Sequence, residues 1–335
     1  MYNVALNFED GVTRFILCNE NEKVLDAAYR QKINLPMDCS DGVCGTCKCH
    51  CESGRYDLGD EYIEEALSAL EQAKGMVLTC QMVPESDCVI QIPMDSTMCK
   101  TGDQQFTASV RSAQSLSDSA IELRLDLDNP SGIAFLPGQY INIQVPGSEA
   151  WRAYSFSSVP GSRELSFLLR NVPDGKMSHY LTHQVQPGEV MNLSGPLGSF
   201  YLRPVQRPVV MLAGGTGLAP FLSMLEQLVI TGCDQPIQLL YGVNRDVDQV
   251  KQDQLESLTT RLPGFSYRIC VADPQSRAPY QGYVTDHLTS SILNEGEVDI
   301  YLCGPPPMVE AVMSWLEVAR IEPAHFYYEK FAPQR

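Results

Sequence analysis

Cys39-Ser40-Asp41-Gly42-Val43-Cys44-Gly45-Thr46-Cys47, followed by Cys80 after 32 intervening residues, is the stretch that decides the first third of the chain. Cys-x4-Cys-x2-Cys with a distant fourth cysteine is the plant-type spacing of a 2Fe–2S cluster. Bringing four thiolates onto two irons forces a tight backbone path. Gly42 and Gly45 permit the dihedrals and let backbone N–H groups approach the sulfides. Such hydrogen bonds tune the potential, which for clusters of this type lies near roughly −400 mV. Four cysteines also make a structural zinc site, but the unequal x4/x2 loop argues for iron–sulfur. Cys49 and Cys51 continue the alternation on a strand that leaves the loop by about 3.3 Å per residue. They read as ordinary buried thiols, as do Cys18, Cys88, Cys99, Cys233 and Cys270.

Seven of the twelve cysteines fall between residues 39 and 88, a clustering that points to metal rather than to disulfides. The N-terminus lacks a basic region followed by an apolar stretch, so no signal peptide is expected. No run of 18 apolar residues suggests a membrane span. A cytoplasmic location, where thiols stay reduced, is the expectation. The formal net charge of −17 argues against nucleic-acid binding, which needs a basic footprint. Residues 1–100 carry 17 acidic and 8 basic side chains, net −9, which suits either steering toward a basic partner or plain solubility.

At 335 residues the chain has room for two or three domains. Residues 1–98 open with strands around Val4–Phe8 and Thr13–Leu17, then a short helix at Val24–Ala28. Residues 99–105 are polar and aperiodic, a linker. From 106 to 203 short strands alternate with Pro/Gly turns (Ala120–Leu127, Tyr140–Val145, Ala153–Ser157, Leu165–Arg170, Val190–Leu193), which predicts a β-barrel or sandwich. Beyond 207 the rhythm becomes strand, loop, helix, with strands at Val209–Ala213, Ile237–Tyr241, Tyr267–Val271 and Asp299–Leu302, which predicts a parallel α/β sheet to residue 335.

Arg152-Ala153-Tyr154-Ser155-Phe156-Ser157 offers a cation for phosphate, an aromatic to pack on a ring and a small donor for a ring edge, a set that suits a flavin nucleotide. Alone, such a strand is more often solvated surface. Gly175-Lys176-Met177-Ser178 downstream strengthens it: a glycine turn opens a short helix whose N–H groups suit a pyrophosphate. His179 and His183 lie at i, i+4 without an intervening acid, so metal binding there is disfavoured. Val209–Ala213 runs into Gly214-Gly215-Thr216-Gly217, a turn that places phosphate at a helix N-terminus, although it is not the Gly-x-Gly-x-x-Gly fingerprint. Tyr301-Leu302-Cys303-Gly304-Pro305-Pro306-Pro307-Met308 sits where the last parallel strand should end, outside which ligands bind.

Together these motifs and the terminal Tyr328-Glu329-Lys330-Phe331 resemble the ferredoxin–NADP reductase superfamily over residues 106–335. With its N-terminal plant-type ferredoxin the chain resembles the reductase components of two-component aromatic-ring dioxygenases, the benzoate, anthranilate and toluate 1,2-dioxygenase reductases. The resemblance implies a β-grasp (α+β) 2Fe–2S domain ligated by Cys39, Cys44, Cys47 and Cys80. It implies a six-stranded antiparallel β-barrel binding FAD through Arg152, Tyr154, Ser155 and Gly175, Lys176, Met177, Ser178. It also implies an α/β domain binding the nicotinamide nucleotide through Gly214, Gly215, Thr216, Gly217, Cys303, Gly304 and Pro305. Ser155, Cys303 and Glu329 match positions near the reacting atoms of flavin and nicotinamide, and Phe331 an aromatic beside the flavin.

NADP-specific relatives place a Ser-Arg pair after the third parallel strand. Here Val271-Ala272-Asp273-Pro274 follows it, and Asp273 would repel a 2′-phosphate, so NADH is expected, with Arg245 as a dissenting cation. A hydride carrier delivers two electrons and a 2Fe–2S cluster takes one, so a flavin must stand between them. The expected route is NADH to FAD to 2Fe–2S to a terminal Rieske-type oxygenase. Reductases of di-iron monooxygenases share this module order, and a deoxysugar reductase or a zinc-stabilised redox-sensing protein are further readings.

Overall fold

The structure, a computed structural model, describes residues 1–9, 13–99, 104–128, 132–133, 135–198, 200–203 and 205–331. The chain divides into two compact units, Met1–Gln104 with Leu197–Ser199, and Gln105–Pro196 with Phe200–Arg335.

In the first unit the alternation of Tyr2–Phe8 buries Val4, Leu6 and Phe8 on one face. This strand lies between Thr13–Cys18, antiparallel, and Cys88–Ile92, parallel. Lys48–Ser53 and Met76–Leu78 complete a five-stranded mixed sheet. The helix Val24–Arg30 contributes Val24, Leu25, Ala27 and Ala28 to the same core, the α+β arrangement expected. Each buried Val, Leu or Ile stabilises by about 1.5–3 kcal/mol. Cys47 and Cys80 belong to this core, so the sheet that supports the cysteine loop is also what fixes two of its sulfurs.

In the second unit six antiparallel strands run in the order Trp151–Ser155, Tyr140–Gln144, Val190–Leu197, Gln104–Ser117, Ala120–Leu127, Glu164–Arg170. A bridge between Phe156 and Phe167 joins the two outer strands and closes the barrel. Its interior holds Leu123, Leu125, Ile141 and Ile143, with Phe135 stacked on Phe156 at 3.8 Å between centroids. The strand Gln104–Ser117 escaped the sequence reading. It is rich in Ser and Gln, and irregularities at Val110/Ser112 and Ser115/Ser117 break its two-residue period. Of the expected linker, residues 100–103 lie outside the described residues. Cys99 closes the turn Ser96–Cys99 and is buried, and Gln104 and Gln105 already belong to the long strand.

The remaining sheet is parallel throughout, in the order Tyr280–Gln281, Phe265–Val271, Ile237–Val243, Val209–Gly214, Asp299–Gly304, His325–Lys330. Val209–Gly214 and Asp299–Gly304 are buried at every position, which is why the first, and the second beyond Asp299, read as unbroken apolar runs. From Val209–Gly214 the chain steps outward to one side, then returns to lay Asp299–Gly304 on the other. The switch point lies between these two strands, and a ligand crevice opens at their carboxyl ends. The helices Leu218–Thr231 and Pro306–Ala319 both start at that crevice, the second with proline in its first turn. Among the described residues no helix is long and apolar enough to cross a membrane.

Candidate functional site

The cysteine loop brings its sulfurs together in pairs. Cys47 and Cys80 Sγ lie 3.2 Å apart, and the Cys44 thiol donates to Cys39. Among the described residues no three of His, Cys, Asp or Glu converge as ligands of one ion. Two pairs supply the four thiolates that a 2Fe–2S cluster takes. Backbone N–H groups of Asp41 and Val43 face Cys39 sulfur, and that of Gly42 faces Cys80. The hydrogen bond from Cys44 lowers the Cys39 thiol to about 6, against desolvation. That from Cys47 lowers Cys80 in the same way. The donors Cys44 and Cys47 are pushed up by these bonds and by burial. Gly42, at φ +81°, has no room for a side chain: a Cβ would meet the Glu61 carbonyl oxygen at 2.7 Å. The loop is braced by groups the sequence did not single out. Thr46 Oγ1 donates to Asp38 at 2.5 Å, and Lys23 Nζ donates to Gln81 Oε1 at 3.0 Å. Their one legible signal is adjacency, since Asp38, Thr46 and Gln81 flank Cys39, Cys47 and Cys80. The donor set fits a dinuclear cluster.

Cys49 and Cys51 lie buried on Lys48–Ser53, as expected for structural thiols.

On the barrel, Trp151–Ser155 is an edge strand. Phe156 enters the barrel core and Tyr154 packs against it. Burial raises the Tyr154 phenol well above its ordinary range, so it stays protonated. Arg152 is half-buried and Nη1 donates to the Trp151 carbonyl at 2.8 Å. Gly175 precedes the helix Lys176–His183. Met177 is buried in the barrel core, and Ser178 Oγ is engaged with Val172 N at 2.9 Å. What Met177 and Ser178 can offer a phosphate is therefore their backbone N–H groups at the helix start. Lys176 is exposed. The rings of His179 and His183 stack at 4.7 Å, and His183 Nδ1 lies 3.2 Å from the His179 carbonyl.

At the sheet's switch point the two glycine motifs touch. A Cβ on Gly217 would lie 2.3 Å from the Cys303 carbonyl oxygen, and one on Gly304 would lie 3.3 Å from Gly214 Cα. Met308 covers both, at 2.5 Å from a Cβ on Gly214 and 2.8 Å from one on Gly304. Gly215, at φ +54°, faces open space and leaves Thr216 and the helix Leu218–Thr231 approachable by an anion. Pro305 caps the next helix.

The three residues expected near the reacting atoms converge on one carboxylate. Cys303 and Glu329 are register partners on adjacent parallel strands. Ser155 Oγ, from the barrel, donates to Glu329 Oε2 at 3.4 Å, and Cys303 Sγ lies 3.7 Å from the same oxygen. All three are buried: Ser155 is 3% exposed, Cys303 0% and Glu329 6%. Phe331 follows two residues after Glu329, its N–H donating to the Gly304 carbonyl at 2.9 Å.

The chain matches the 2Fe-2S iron-sulfur cluster binding domain over residues 7–85, the oxidoreductase FAD-binding domain over 107–201 and the oxidoreductase NAD-binding domain over 211–314. It is 56% identical over 331 residues to a toluate 1,2-dioxygenase electron transfer component of Pseudomonas putida, spanning 99% of this chain and 98% of that one. It is 50% identical to a 2-halobenzoate 1,2-dioxygenase electron transfer component of Burkholderia cepacia, with coverage of 99% and 98%. Among solved structures an Amycolatopsis cytochrome P450 reductase superposes with TM-score 0.78 at 30% identity over 99% of both chains. The chain is an oxidoreductase that works with NADH, FAD and a 2Fe–2S cluster, and it belongs to the family of 1,2-dioxygenase electron transfer components.

Proposed function

We propose that this chain carries electrons from NADH through FAD and its 2Fe–2S cluster to the terminal, Rieske-type oxygenase of an aromatic-acid 1,2-dioxygenase in the cytoplasm. The observation that carries the reading is the convergence of Ser155, Cys303 and Glu329, because it joins the flavin barrel and the nicotinamide sheet at one water-poor point. When bound, FAD accepts a hydride equivalent and releases its two electrons singly, as a cluster requires. The residues' share is orientation. Glu329 fixes the Ser155 hydroxyl and the Cys303 thiol, and their burial keeps solvent protons out. Gly214–Gly217 with Gly304 and Pro305 let a pyrophosphate backbone approach the sheet. Arg152, Tyr154 and the Gly175–Ser178 turn do the same for the flavin nucleotide, and Phe331 is assigned as the aromatic beside the flavin. Cys39 with Cys44, and Cys47 with Cys80, are assigned as the two ligand pairs. The domain assignment is 1–98 for the cluster, 106–203 for flavin and 207–335 for nicotinamide. The twelve unbridged cysteines support a reducing compartment.

The test mixes purified chain, NADH and purified toluate or benzoate oxygenase, and follows the cis-diol product. Product that depends on both proteins is expected. Its absence, with cytochrome c reduction intact, would overturn the choice of acceptor.

A further inference from the structure

The dinucleotide's direction along the sheet follows from two anchors. Hydride chemistry belongs at Cys303 and Glu329, on the strands to one side of Val209–Gly214, and the pyrophosphate belongs at Gly214–Gly217 on that strand itself. The adenosine must then extend to the opposite side, over the ends of Ile237–Val243 and Phe265–Val271. Two loops meet it there, 244–248 and 272–277. They are joined by Ala272 N donating to the Val243 carbonyl and Asp273 N to that of Asn244, both at 2.9 Å, and by Ser276 Oγ donating to Asp246 at 2.7 Å.

Arg245, just past the carboxyl end of Ile237–Val243, is a cation on the loop that the adenosine ribose would cross. Its guanidinium is already held. Nε donates to Asp248 Oδ2 and Nη2 to Oδ1, both at 3.0 Å, and its backbone N–H adds a third bond to Oδ2 at 3.1 Å. Asp118 lies a further 3.8 Å from Nη2. Asp248 is buried and also accepts from Ser119 Oγ of the barrel at 2.7 Å. Releasing the guanidinium would strand a buried carboxylate beside the incoming phosphate, which is costly. Asp273, on the other loop, keeps its carboxylate against its own turn through Gln275 N at 2.9 Å. Arg277, in the same loop, is exposed.

We propose that Asp248 sets the choice of NADH over NADPH, by closing Arg245 into a bidentate pair that withholds it from a 2′-phosphate. Asp248 is a specificity-determining residue acting through Arg245. The proposal rests on the placement of hydride transfer at Ser155, Cys303 and Glu329, and its test separates the two. Calorimetry on the FAD- and cluster-loaded full chain compares 5′-AMP with adenosine 2′,5′-bisphosphate, and NADH with NADPH turnover is read in parallel. Wild type is expected to favour 5′-AMP. Asp248→Ala, and more weakly Asp248→Asn, should tighten adenosine 2′,5′-bisphosphate by roughly 10- to 100-fold, the worth of a charge-assisted bond. The 5′-AMP affinity should hardly move. The double variant Asp248→Ala/Arg245→Ala should lose the gain. Persistence of the gain in the double variant would assign it to Arg277 and overturn the proposal. So would unchanged bisphosphate affinity in variants that retain their flavin spectrum. Failure of wild type to bind 5′-AMP at all would instead sink the placement of the nucleotide, and the proposal with it.

Discussion

In the first unit three of the four assigned ligands lie within the nine residues Cys39–Cys47, and side-chain sulfur would do the binding. In the second unit Ser155 and Glu329 are 174 residues apart and meet through a hydrogen bond between a barrel strand and the last strand of a parallel sheet. The proposed phosphate contacts there would fall largely to backbone, because Met177 is buried and the Ser178 hydroxyl is engaged. The difference teaches where each site is vulnerable. A loop of ligands fails when one atom is lost, whereas an assembled site fails when strands move by a fraction of an ångström.

The largest expected effect tests the first half of that contrast. Cys44→Ala should abolish cytochrome c reduction by more than the roughly 10- to 100-fold that a merely supporting residue of a metal site costs. NADH-to-ferricyanide activity should persist, since it bypasses the cluster. Equal loss of both activities would show that the two sites are not separable in this way. Next, Glu329→Gln should slow flavin reduction in stopped flow by about 100-fold, the cost of misplacing reacting groups by about 1 Å, with FAD content retained. An unchanged reduction rate would remove Glu329 from the site.

Glycine sharpens the second half. Gly217→Ala keeps ordinary helical dihedrals, at φ −61°, yet pushes a methyl into the Cys303 carbonyl. It should destabilise the second unit by about 1–3 kcal/mol, as overpacking does, and raise the KM for NADH. Gly215→Ala faces open space and should cost only the about 1–2 kcal/mol of a left-handed residue, which a melting comparison would reveal. The smallest effect concerns acid. Arg245 holds the Asp248 carboxyl below its ordinary range, with help from Ser119 and against desolvation. A depressed carboxyl contributes stability that is present above about pH 4 and is lost as pH falls through the folded value. Asp248→Asn should therefore flatten the acid limb of the second unit's stability curve. An unaltered limb would mean that the pair adds nothing in solution.

The sequence carries much of this fold, and unevenly so. The strand Ala120–Leu127 matches its expected bounds, because one face is buried along its length and the apolar alternation is intact. Gln104–Ser117 was invisible for the opposite reason, its bulges destroying the period that strands are read by. Arg245 read as a cation favouring NADPH, because charge is legible in a sequence and pairing is not.

Residue order alone established the ligand spacing, the glycine turns and the change of rhythm from short antiparallel strands to strand–loop–helix, since each depends on neighbours along the chain. The meeting of Ser155 with Glu329, the contact of Gly217 with Cys303 and the capture of Arg245 by Asp248 came from folding. Each of these depends on strand register or packing, or on which partner a charge finds at close range, and spacing along the chain does not reveal whether that partner is already taken.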